Sequence, residues 1–234
     1  MAKITDIQVQ KKNPERVSVF IDGEFAFGIS QSLKYDKKLE IGKNLSENQI
    51  EELIEKDQVE RLTEKALKFL SYRPRSEREV RDHLKRKVTN DKTQVTGDLE
   101  RMQMEKSIDS VIIKLKEWDQ INDSNFIKWW IEQRIKFRPM SLRSIKRELL
   151  LRGVNREIID ELIADGTTAT YEDTDENTET TEEDLATRVA EKKLKNYKKL
   201  SYDETKIKLG QALARRGFDW SIIKNVVDKI LKKE

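Results

Sequence analysis

Two stretches decide the fold: Leu70-Ser71-Tyr72-Arg73-Pro74-Arg75-Ser76 and Ile135-Lys136-Phe137-Arg138-Pro139-Met140-Ser141. Each reads as the end of one helix, a proline stop, one spacer, and a serine that opens the next helix. Proline pushes the residue before it out of the α region. A serine at the N-cap accepts a hydrogen bond from an N–H of the first turn. The second stretch follows the first by 65 positions, and at the same offset Val80 matches Ile145 and Leu84 matches Leu149. A third, partial copy lies further on: Arg152-Gly153-Val154 returns 64 positions later as Arg216-Gly217-Phe218. With it Leu149 matches Leu213, Ile158-Ile159 match Ile222-Ile223, and Leu162-Ile163 match Val226-Val227. This copy lacks the Arg-Pro connector; Lys199-Leu200-Ser201 lies in its place.

Working outward, each connector sits inside a helical trio. Ser46-x-x-Gln49 is a capping box, followed by Ile50, Leu53 and Ile54 and then by Leu62, Ala66, Phe69 and Leu70 at helical spacing. Ser76-x-x-Glu79 is a second box, and Val80, Leu84 and Val88 form the stripe behind it. Residues 89–106 are polar and weakly periodic and read as a loop with room for a helical turn; Ile108, Val111, Ile112, Leu115 and Trp118 make the next helix. Asp123 reads as the N-cap of a helix through Phe126, Trp129, Trp130 and Ile135. Gly153 ends the following helix as a left-handed cap, and Ile158, Ile159, Leu162 and Ile163 make the last of that trio.

The N-terminus has a different period. Val17, Val19 and Ile21, then Phe25, Phe27 and Ile29, alternate with period two, as strands do, around Asp22-Gly23. That dipeptide suits a two-residue hairpin turn, where both positions take positive φ. Asn13-Pro14-Glu15-Arg16 reads as an earlier turn, which gives a three-stranded antiparallel sheet over residues 3–29. The expected architecture is mainly α: an elongated tandem array of three three-helix repeats behind a small N-terminal β-hairpin region. The boundaries are 1–45 for the sheet, 46–122 for repeat one with an insert at 89–106, 123–165 for repeat two, 166–184 for an acidic flexible linker, and 185–234 for repeat three.

Composition agrees. Of 234 residues, 39% are charged and 36% hydrophobic, too polar a mixture to fill one spherical core. Several small cores, each touching its neighbours, suit it better. The chain has no Cys and one His (His83), which excludes disulfide scaffolds, thiol catalysis and the usual zinc sites. His83 reads as an ordinary surface residue. There is no apolar run long enough for a membrane span and no secretion pattern, so a soluble cytoplasmic protein is expected; a monomer is the expected state, which these absences do not decide. No Gly-rich phosphate loop, no G-x-S-x-G and no metal-ligand spacing occurs. The expectation is therefore a protein that is not an enzyme and needs no cofactor and no metal.

The net charge is only +3, so the charge argument is local. Residues 165–184 carry nine acids and no Lys or Arg, which hides a basic remainder. Net local charge is +5 over 59–88, +6 over 128–152 and +7 over 186–216. On the middle helix of repeat two, Arg143, Lys146 and Arg147 fall opposite Leu142, Ile145 and Leu149. In repeat one, Arg78, Arg81 and Lys85 fall away from Val80 and Leu84. The candidate basic face is Arg73, Arg75, Arg78, Arg81, Lys85, Arg138, Arg143, Lys146, Arg147, Arg152, Lys208, Arg215 and Arg216. Such a face suits phosphates or an acidic protein surface, although amphipathic helices ordinarily carry Lys and Arg on their wet side. Trp118, Trp129, Trp130 and Trp220 lie at apolar helical spacing and are expected in cores. Trp129 and Trp130 are adjacent and cannot both face one core.

Four features together resemble the RecX family of bacterial RecA regulators. They are the hairpin with Asp22-Gly23-Glu24-Phe25; Leu70-Ser71-Tyr72-Arg73-Pro74-Arg75-Ser76 with Glu79 and Leu84; Ile121-Asn122-Asp123 with Phe126 and Trp130; and Glu148-Leu149 with Arg152-Gly153-Val154. Arg215-Arg216-Gly217-Phe218-Asp219 with Ile222 resembles the end of longer members, while the acidic insert departs from the pattern. The resemblance implies tandem three-helix repeats that bind the RecA–single-stranded-DNA filament along its groove. It also implies limits on filament extension and suppression of ATPase, strand exchange and coprotease activity, within recombination, DNA repair and the SOS response. Single-stranded DNA is the nucleic-acid partner implied, with double-stranded DNA as a further option. Two other readings stay open at this stage: a helical-repeat module that binds DNA or RNA without a recombinase, and a protein-interaction scaffold.

Overall fold

A computed structural model describes residues 1–90, 98–164, 181–197 and 199–232. In chain order these form strands β1 (Ala2–Gln10), β2 (Asn13–Ile21) and β3 (Glu24–Ser30), helix α1 (Gln31–Asp36), strand β4 (Asn44–Leu45) and helix α2 (Glu47–Leu70). Helices α3 (Glu77–Asn90), α4 (Asp98–Glu117), α5 (Asp123–Phe137), α6 (Leu142–Leu151), α7 (Arg156–Ala164), α8 (Glu182–Leu194), α9 (Tyr202–Ala214) and α10 (Trp220–Leu231) follow. The chain is mainly helical behind an N-terminal antiparallel sheet, and the helices after it come in trios. It divides into two compact units, Met1–Arg73 with Val80–Gln120 and Pro74–Glu79 with Ile121–Glu234.

In the first unit the sheet runs in the order β3-β2-β1-β4, all pairs antiparallel. Asp22 (φ 50°) and Gly23 (φ 91°) make the hairpin turn with both positions left-handed. The other turn is not at Asn13-Pro14. Gln10 pairs with Asn13, so Lys11-Lys12 turn the chain and Pro14 sits near the start of β2, a place where a missing N–H is tolerated. The fourth strand is a correction to the three expected: Asn44 and Leu45 pair with Lys3 and Ala2, too short a run to show a period of two.

One face of the sheet buries Ile4, Val17, Val19, Phe27 and Ile29 with Leu33, Leu39, Leu45 and Leu53. Asp57 ties α2 to strands β2 and β3. It is buried, accepts from Arg16 Nη1 at 3.0 Å and Nη2 at 2.8 Å, and also accepts from the Ser30 N–H at 2.8 Å. Helix α4 starts at Asp98, inside the segment expected to be a loop. Its opening residues are good helix formers without an apolar stripe, so propensity rather than period marks the start. Residues 91–97 of that expected loop lie outside the described residues. His83 is not an ordinary surface residue: it is half-buried, with its ring stacked on Phe69 at 3.8 Å between centroids.

The second unit holds α5–α10. Its apolar cluster is continuous from Phe126 and Trp130 through Ile145, Leu149 and Ile159 to Leu185, Val189, Leu213, Val226 and Ile230. A separate core for each of these two trios was expected; they share one. The linker expected at 166–184 lies outside the described residues up to 180. Thr181–Asp184 is the capping box and first turn of α8, where three acids complement the helix dipole. Asn122, not Asp123, caps α5; Asp123 Oδ1 instead accepts the Glu77 N–H at 3.0 Å.

The repeated motifs meet in space, and both meetings lie inside this unit. Ser76 Oγ donates to the Arg152 carbonyl at 2.7 Å. The Ser141 N–H donates to the Arg216 carbonyl at 3.1 Å. Both serines are buried, whereas Ser201, which opens α9, is exposed and has its N–H taken by Glu204 Oε2 at 3.0 Å. Gly153 (φ +77°) lies where a Cβ would strike the Arg78 side chain, and Gly217 (φ +81°) where it would strike the hydroxyls of Ser144 and Ser141. The Pro-x-Ser that opens one helix is thus the socket for the Arg-Gly that closes the middle helix of the next trio.

Gly217→Val should test that joint. A side chain there meets both a left-handed backbone penalty and a steric clash, together roughly 2–4 kcal/mol of stability. Urea unfolding followed by circular dichroism measures it. A loss below about 1 kcal/mol would show that the joint yields freely.

Candidate nucleic-acid interface

The structure sorts the thirteen candidate cations by what they touch. In the first unit, Arg81 meets Asp109 at 2.5 Å and Lys85 meets Glu105 at 2.7 Å, so acids of α4 face these two cations of α3. Arg73 is half-buried. In the second unit, Arg75 is half-buried and Arg78 packs over Gly153. Arg152 bonds Glu79 Oε1 at 2.5 Å and stacks its guanidinium over Trp130 at 3.8 Å. Trp130 itself donates to Glu148 Oε2 at 3.0 Å, which also accepts from Arg134 at 2.6 Å. Lys146 is paired with Asp160. Lys208 is exposed, 6.0 Å from the Tyr197 ring centre.

Five cations remain. Among the described residues, none of Arg138, Arg143, Arg147, Arg215 and Arg216 is in an ion pair. Four are exposed, and Arg216 is half-buried. Arg143 and Arg147 stand one turn apart on α6, whose opposite side buries Ile145 and Leu149. Arg138 caps the C-terminus of α5. Arg216 reaches the same connector, donating from Nη1 to the Pro139 carbonyl at 3.1 Å. Burial, and after it the charge of Arg138, hold the Arg216 guanidinium below its usual pKa. Two like charges held together in this way are relieved by an anion, and guanidinium groups suit phosphate by geometry as well as charge.

The joint explains why Arg216 reaches the connector that carries Arg138, although 77 residues separate Arg216 from Pro139. The N-terminus of α6 is not itself open, because Glu182 Oε1 accepts the Leu142 N–H at 2.6 Å. The site is therefore built by arginines and not by the helix dipole.

The aromatic residues depart from expectation. Trp130 is buried and Trp129 half-buried, as adjacency required, but Trp118 is 46% and Trp220 74% exposed. Helical spacing tells which way a side chain faces, not whether anything covers it. Lys114 lies over the Trp118 ring at 4.8 Å. Tyr72 and Phe137, which precede the two Arg-Pro pairs, are 73% and 67% exposed and were not among the candidates. Their recurrence ahead of Arg-Pro was the available signal. Among the described residues, no cluster of three or more His, Asp or Glu could hold a metal ion, and no helix is long and apolar enough to cross a membrane.

Comparison with known proteins agrees with this organisation. Residues 2–46 match the Regulatory protein RecX N-terminal domain. Residues 63–92, 122–163 and 181–227 match the first, second and third RecX three-helix domains. A Regulatory protein RecX from Clostridium beijerinckii is 34% identical over 99% of this chain and 97% of its own length. The chain belongs to the RecX family. A RecX from Clostridium tetani is 33% identical over 98% of the chain and 94% of its length, and one from Listeria welshimeri 34% over 95% and 73%. The crystal structure of a regulatory protein RecX covers 97% of this chain and 100% of its own, at 23% identity and TM-score 0.62. RecX from Lactobacillus salivarius covers 76% and 99%, at 24% identity and TM-score 0.52. These two share the fold. The RecX relatives are described as regulatory proteins, and the role of this chain is regulatory.

Proposed function

We propose that this chain binds the bacterial RecA–single-stranded-DNA filament in the cytoplasm and restrains its extension, ATPase, strand-exchange and coprotease activities. Recombination, DNA repair and the SOS response are then the processes it tempers. The observation that carries the reading is the group of five arginines in the second unit that no acid neutralises among the described residues. Membership of the RecX family supplies the recombinase. Contacts spread over several repeats add up as multivalent binding does, so modest individual contacts suffice.

The test is ATP hydrolysis by RecA on single-stranded DNA. Sub-stoichiometric protein should slow it. Unchanged hydrolysis at concentrations where the protein is seen on the filament would remove the proposal. The same arginines support a second reading, direct binding of DNA or RNA without a recombinase. Gel-shift titration with and without RecA separates them, since the second reading requires naked DNA to bind as tightly as filament. A protein scaffold indifferent to nucleic acid would show little dependence on salt, whereas binding to phosphates makes affinity fall steeply as salt rises.

A further inference from the structure

We propose that Phe137 is a stacking platform for one base of a single strand whose neighbouring phosphates are taken by Arg138 and Arg143. The inference rests on the reading that this arginine group faces nucleic acid, and it names the part of the nucleotide that the arginines leave unread.

Phe137 is the last residue of α5 and is 67% exposed. The packing needs of that helix are met by Phe126, Ile127, Trp130, Ile131 and Ile135, all buried. Phe137 adds nothing to that core. Its backbone is held from both sides. The Arg138 N–H closes on the Arg134 carbonyl at 2.9 Å, and beyond it the connector is clamped by Arg216 through the Pro139 carbonyl and the Ser141 N–H, each at 3.1 Å. An aromatic ring on an anchored backbone meets a base with less ordering to lose. The cations are close along the chain: Arg138 is the next residue, and Arg143 is in the first turn of the helix that the connector opens.

The occupant follows from the chemistry. An exposed ring with arginines close by in the chain matches a flat base with phosphates on either side of it. Bases in a duplex are already stacked, so only an unpaired strand can offer one to a ring. The succession of ring and cation is not a single occurrence: Tyr72, 73% exposed, stands in the same position before Arg73-Pro74. Stacking is indifferent to base identity, which suits a protein acting along arbitrary sequence.

The full chain carrying Phe137→Ala or Phe137→Trp should be titrated by anisotropy onto an oligo-dT strand, an abasic strand of equal length, and a RecA–dT filament. Thermal melting checks that each variant is folded. Phe137→Ala is expected to weaken dT binding about five-fold or more, the loss expected for one stacked base. It should leave the abasic strand unaffected, and Phe137→Trp should restore dT binding. Wild-type affinity of Phe137→Ala for dT, with steep salt dependence retained, would overturn the platform and leave the arginine reading standing. Weakening on the filament but not on free dT would place the ring against protein, which also overturns it. No binding of wild type to either dT or filament removes both the platform and the reading beneath it.

Discussion

Asp57→Ala is expected to destabilise the first unit by about 3–5 kcal/mol, the loss seen when one partner of a largely buried ion pair is removed. The Asp57 side chain is 6% exposed, and its carboxylate is the meeting point of three donors, two from Arg16 of β2 and one from the Ser30 backbone. Without it a guanidinium with a side-chain exposure of 17% keeps only the Gly28 carbonyl, at 2.9 Å, and the Ser30 N–H loses its acceptor. Domains are stable by about 5–15 kcal/mol in all, so this single change removes a large share. Urea unfolding followed by circular dichroism measures the loss. The paired change Arg16→Met with Asp57→Leu should cost much less than Asp57→Ala alone, because no charge is then left stranded. Equal losses from the single and the paired change would mean that the ion pair is not what holds α2 to the sheet.

The second large effect is on binding. Arg138→Glu, Arg143→Glu and Arg147→Glu together should weaken filament binding by about 100-fold near physiological salt. Each phosphate left without its arginine also lowers the slope of log affinity against log salt by about 0.7–0.9, so the three should flatten it by about 2–3. Helix content should not change, since all three side chains are exposed. Lys146→Glu on the same helix is the control: Lys146 already faces Asp160, and reversing it should disturb stability more than binding. Arg152→Glu should also act on stability, because its guanidinium sits between Trp130 and Glu79. Retention of wild-type inhibition by the triple variant would remove α6 from the interface.

These contrasts show where sequence reasoning stops. Helical period and charge sign put Arg81, Lys85, Lys146 and Arg152 on the wet sides of their helices as readily as Arg143 and Arg147. Whether an acid waits on a neighbouring helix depends on packing between segments, and nothing local in Arg81 announces Asp109. The same holds for the tryptophans: Trp130 and Trp220 have similar apolar neighbours in the chain, but only Trp130 meets a second helix that covers it. Helix α4 and strand β4 escaped for a different reason. One begins on propensity without a stripe, and the other is two residues long.

Much of the architecture was nevertheless legible, and the legible part is local. The Asp22-Gly23 turn, the capping boxes at Ser46 and Ser76, the proline stops, the left-handed glycines and the order of the helical trios each depend on dihedral limits and hydrogen bonds within a few residues. Such constraints act on the chain wherever it goes, so the residues alone determine them. The meeting of Ser141 with Arg216, one core shared by α5–α10, and the division of the arginines into those held by acids and those left to solvent were decided only by tertiary structure. Each depends on which surfaces meet across long separations, and burial and charge pairing have no value until the chain has closed on itself.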